Sequence, residues 1–76
     1  MRLDLFLKET RIIKRRTIAK EYCDRGLVTS NGKVVKPSYE VKNGDNLDIK
    51  LGAKVLSITA KIEPANKKEK AGYEPR

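Results

Sequence analysis

The chain has 76 residues, 38% hydrophobic and 37% charged, with a formal charge of +8. That size supports one compact domain, and with aromatics at 5% and no Trp its core must come mainly from Leu, Ile and Val. One cysteine and no histidine exclude an internal disulfide and the usual structural zinc sets, and no apolar run approaches the ~18–20 residues of a membrane span.

In chain order, Leu3, Phe6 and Leu7 recur at i, i+3 and i+4, which predicts a two-turn helix over residues 3–9, with Asp4 and Lys8 one turn apart on another face. The same apolar run is too short, and too interrupted by Asp4 and Lys8, to be a signal peptide, so a soluble, cytoplasmic protein is expected. Glu9-Thr10-Arg11 reads as a connection, and Ile12 and Ile13 as an apolar joint. A second helix is predicted over residues 15–25, with Ile18, Ala19, Tyr22 and Cys23 on its packed stripe and Gly26 as its stop. Arg16 and Lys20 fall together away from most of that stripe, with Thr17 and Asp24 beside them.

After Gly26 the period becomes alternating. Residues 27–30 and 33–35 form two strands around Asn31-Gly32, a pair suited to a tight hairpin because both turn positions need positive φ. Pro37 and Ser38 interrupt the second strand, Tyr39 and Val41 continue it, and Asn43-Gly44-Asp45 marks a further turn. Leu47, Ile49 and Leu51, then Leu56, Ile58, Ala60 and Ile62, alternate with polar residues and predict two antiparallel neighbours. Residues 63–76 have two prolines, mixed charge and no clear period, and read as a flexible basic tail behind a domain of residues 1–62.

Catalytic chemistry is poorly supplied. No histidine is present, Cys23 falls on the apolar stripe as a small buried thiol would, and Gly26, Gly32 and Gly44 stand at separate turns rather than in a phosphate-cradling loop. No enzyme, cofactor or metal is expected. Basic residues exceed acidic ones in all parts of the chain, but arginine is concentrated in Arg2, Arg11, Arg15, Arg16 and Arg25, with Arg76 at the end. A planar guanidinium suits phosphate and bases, whereas lysine serves solubility equally well. A solvated helix face is the bland reading of Lys14-Arg15-Arg16. Against it, the run is unbroken by acid and stands at a helix start, where the macrodipole disfavours cations and welcomes phosphate. An anionic partner is the better account. Phe6 and Tyr22 look packed, leaving few aromatics for stacking single strands, so backbone and shape recognition of structured RNA fits best.

The ordered set Arg2-Leu3-Asp4, Arg16-x-x-Ala19, Gly26-x-Val28-x-x-Asn31-Gly32, Pro37-Ser38 and Gly44-Asp45 resembles the S-four RNA-binding domain, named after ribosomal small-subunit protein four. The resemblance implies an α+β fold, the α-L motif: two N-terminal helices packed on a small bent antiparallel sheet of about four strands. It lays RNA contact on Arg2, Arg16, Lys20 and the neighbourhood of Asn31, with Asp4 orienting a nearby arginine. Together with the charge pattern, the expected contact set is Arg2, Asp4, Lys8, Arg11, Lys14, Arg15, Arg16, Thr17, Lys20, Asn31 and Lys33. Two positions depart from the family's habit. Arg15 stands where a capping Ser or Thr is common, trading a cap for charge, and Ser30 stands where a valine is common, which should loosen the hairpin.

Many family members carry this domain beside an enzyme; none is evident in this chain. RLDLFLKETRIIKRRTIAKE is similar to the small stand-alone bacterial branch that serves ribosome-associated quality control, a relative of the heat-shock S-four protein. That similarity implies a monomer binding large-subunit ribosomal RNA and peptidyl-tRNA on the large ribosomal subunit, with a tailing factor as a further partner. A ribosome recycling or assembly factor, or a basic protein-interaction module, would share the same surface features.

Overall fold

The computed structural model describes residues 1–65 and 68–76. Helix α1 spans Leu3–Glu9 and α2 spans Arg16–Asp24, followed by strands β1 (Val28–Ser30), β2 (Lys33–Val34), β3 (Asn46–Leu51), β4 (Lys54–Ala65) and β5 (Lys68–Pro75). The strands form one antiparallel sheet in the order β2-β1-β3-β4-β5. Among the described residues no helix is long and apolar enough to cross a membrane.

The core lies where the helix pair meets the sheet. Leu3, Phe6 and Leu7 of α1 and Ala19 and Cys23 of α2 are buried with Val28, Leu47, Ile49, Ile58 and Ala60 from the strands. The i, i+3, i+4 stripe of α1 therefore does what its spacing predicts. On α2 the buried stripe is narrower than expected: Ala19 and Cys23 are enclosed, Tyr22 is half-buried, and Ile18 stays 38% exposed. A nine-residue helix meeting the core along one i, i+4 line leaves its neighbouring positions at the edge of the contact.

Asn31 and Gly32 both adopt positive φ, 52° and 85°, as a two-residue turn between right-twisting strands demands. Ser30 does not loosen this hairpin. It is buried, its hydroxyl donates to Tyr39 Oη at 3.1 Å, and Tyr39 Oη donates to Asp45 Oδ2 at 2.9 Å. A valine could not make the bond to Tyr39. The chain from Pro37 to Val41 forms no extended strand; it is instead tied to the N-terminus by an Arg2–Glu40 bridge, by Leu3 N–H to Tyr39 O at 2.8 Å, and by Val41 N–H to Met1 O at 2.8 Å.

The expected tail contains the fifth strand. β4 continues past its last β3 partner, Thr59, and its remaining edge pairs with β5, with Ala60 opposite Tyr73 and Ile62 opposite Ala71. Unpaired backbone groups on a long edge favour such pairing even when half of the added residues are charged, so composition gave no warning. Asn66 and Lys67, part of the expected tail, lie outside the described residues.

Candidate nucleic-acid interface

The N-terminus of α1 supplies the organising anion. Asp4 is in the first turn and 3% exposed, and its Oδ1 accepts the Leu5 backbone N–H at 2.8 Å. Arg2, the residue preceding the helix, donates Nε to Oδ1 and Nη2 to Oδ2, each at 3.3 Å, a bidentate pair. Arg16, the first residue of α2, brings its Nε to 3.4 Å from Oδ2. One buried carboxylate thus holds two guanidiniums that are themselves about half exposed. Burial acts to raise the Asp4 pKa, but the hydrogen bonds from Arg2, the Leu5 N–H and Arg16, with the Arg16 charge, outweigh it and hold the carboxyl below its ordinary 3.8.

Because Asp4 has one charge to share, Arg2 and Arg16 retain a net positive charge facing solvent. Their aliphatic stems and inner nitrogens are fixed, which lowers the ordering cost of a further anion contact. In this geometry Asp4 holds two arginines, Arg2 and Arg16.

The remaining predicted residues fall into groups. Lys8, Arg11 and Lys14 surround a separate shallow depression at the α1–α2 connection, where Lys8 also pairs with Glu9 at 3.5 Å. Arg11 is exposed there with φ of 62°, a left-handed backbone that an L residue rarely adopts. Arg15 precedes α2 with no side-chain cap, and α2 has no acid in its first turn, so its leading N–H groups are free of a compensating carboxylate. Thr17 is exposed beside it and provides no cap. Asn31 and Lys33 are exposed at the hairpin, Asn31 at its turn and Lys33 opening β2.

Arg2 and Lys20 line a cleft of about 480 Å³ between α2 and the segment from Val34 to Ser38. Sequence reasoning missed that segment's Lys36 as a third cation on the cleft and Ser38 as part of its wall. The Pro37-Ser38 signal was present, but its placement depends on the Pro37 carbonyl accepting the Asp4 N–H at 3.1 Å, a contact between distant parts of the chain. Cys23 lies under the same cleft, nearly enclosed; burial first, then the Asp4 and Asp24 charges, push its thiol up to about 11, where the thiolate is scarce.

Comparison with known proteins agrees with this geometry. A family model described as the S4 domain matches residues 1–47. The chain is 47% identical over 72 residues to the "RQC P-site tRNA stabilizing factor" of Halalkalibacterium halodurans, covering 93% of this chain and 82% of that protein. It is 46% identical over 72 residues to the protein of the same name from Bacillus subtilis, covering 93% and 84%. Among solved structures, trimeric heat shock protein 15 of Vibrio cholerae superposes with a TM-score of 0.82 at 27% identity, covering all of this chain and 81% of that one.

Proposed function

The chain belongs to the S4 domain family, and on that premise we propose that it is a non-catalytic RNA-binding factor of ribosome-associated quality control. It binds large ribosomal subunits that carry peptidyl-tRNA, contacts ribosomal RNA and the P-site tRNA together, and so supports C-terminal tailing of the stalled chain. It works in the cytoplasm, as a monomer, beside a tailing factor on the same subunit. The relatives' shared name supports the tRNA and the pathway.

The observation that carries the reading is the Asp4 carboxylate gripping Arg2 and Arg16. A surface evolved for solubility alone has no need to bury an acid in order to aim two arginines. Arg11, Lys14, Arg15 and Lys20 extend the cationic surface from this pair, and phosphates along a folded RNA backbone are its natural complement.

Tagged wild type and Arg16→Ala, purified from bacterial lysate, test the proposal by sequencing of bound RNA and blotting for large-subunit proteins. Large-subunit RNA together with tRNA, depleted in the variant, is the expected result. Small-subunit RNA, free tRNA alone, or complexes that survive nuclease unchanged would overturn it.

A further inference from the structure

The cleft between α2 and Val34–Ser38 has a make-up that phosphate binding alone does not explain. Arg2, Lys20 and Lys36 are exposed on its rim, yet its walls include Pro37 and Val34, the latter 64% exposed. One acid, Asp24, also lines it. Asp24 is the last residue of α2, at the negative end of the helix dipole, and no basic residue in that turn offsets it. Among the described residues its side chain makes no hydrogen bond or ion pair. A carboxylate left in that position would repel a phosphate seated in the cleft, and what it can do is accept hydrogen bonds.

A nucleobase satisfies these features together. Its flat face can pack on aliphatic walls, its edge can offer N–H donors, and the phosphates on either side of it need cations. The volume lies within the roughly 300–1,000 Å³ of small-ligand clefts. Guanine is the base that presents two adjacent donors, N1–H and N2–H, to match the two oxygens of a carboxylate. Adenine and cytosine set one amino group beside an acceptor, and uracil sets one imino group between two acceptors.

We propose that this cleft takes one unstacked guanine of the bound RNA, packed on the exposed Val34, hydrogen-bonded by N1–H and N2–H to Asp24, with its flanking phosphates on Arg2, Lys20 and Lys36. This rests on the RNA-binding function proposed above and adds a base preference to it.

The test is a titration of the isotope-labelled full chain with GMP, IMP, AMP, CMP and UMP, followed by backbone amide NMR. The phosphate is common to all five, so differences report the base. GMP should shift Cys23, Asp24, Val34 and Val35 and bind about 10-fold more tightly than IMP, which lacks the 2-amino donor; Asp24→Asn should erase that difference. Equal responses to all five nucleotides, or shifts confined to residues 8–14, would overturn the assignment. Sedimentation of wild type with large ribosomal subunits, run in parallel, separates the two ideas: binding to subunits without a guanine preference removes the cleft assignment alone, and failure to bind subunits removes the RNA reading.

Discussion

Asp4 and Arg16, on successive helices, meet with Arg16 Nε 3.4 Å from Asp4 Oδ2, so the acid of the first helix sets the direction of the first basic residue of the second. Arg2 holds the same carboxylate from the other side. The pairing couples folding of the helix pair to the shape of the cationic surface.

Replacing that acid should harm both. Asp4→Asn removes the charge that both arginines grip, and a loss of about 1–2 kcal/mol in stability is expected, at the low end for charged hydrogen bonds because both guanidiniums are half exposed to solvent. RNA binding should weaken several-fold, although the variant is more positive than wild type. Denaturant melts and RNA titrations on the same samples check this; tighter binding would show that net charge, not arginine geometry, governs recognition.

The same carboxylate makes a signed contribution to acid stability. The folded protein holds Asp4 below 3.8, so between the folded value and 3.8 the unfolded chain binds more protons. Stability from this group is therefore complete above pH 3.8 and is lost as the pH falls through the folded value. The stability difference between wild type and Asp4→Asn, followed from about pH 2 to about pH 6, should shrink on acidification. A difference that grows toward low pH would reverse the assignment.

Phosphate contact by this surface predicts a steep salt dependence. If about five phosphates are neutralised, log affinity should fall against log salt with a slope of roughly −3 to −5. Arg16→Ala should leave the domain folded, lower its stability by less than Asp4→Asn does because Arg2 still holds the carboxylate, and flatten the slope by about one unit. Titrations across a salt series measure both, and a slope near zero would remove the electrostatic mechanism.

Arg11 allows charge to be separated from fold. Its left-handed backbone, φ 62°, costs an L residue about 1–2 kcal/mol, and glycine removes that strain while adding about 0.5–1 kcal/mol of unfolded-state entropy. Arg11→Gly should therefore melt at or slightly above the wild-type midpoint, yet bind RNA more weakly. Weaker folding would mean that the Arg11 side chain, rather than the bend, supports the helix connection.

What the sequence by itself determined is local. The i, i+3, i+4 stripe of residues 3–9, the Asn31-Gly32 turn and the alternation around Leu47 and Ile58 were legible because side-chain period and glycine's access to positive φ are properties of neighbouring residues. The basic cluster and the ordered family signature were legible for the same reason. Tertiary structure alone decided that Ser30, Tyr39 and Asp45 share a hydrogen-bonded chain, that Lys36 and Ser38 join Arg2 and Lys20 at one cleft, and that Lys68–Pro75 pairs with β4 instead of trailing free. Each of these depends on the packing of segments far apart in the chain. Backbone hydrogen bonds to an open edge, and contacts to a loop anchored elsewhere, leave almost no periodic trace in the residues that make them.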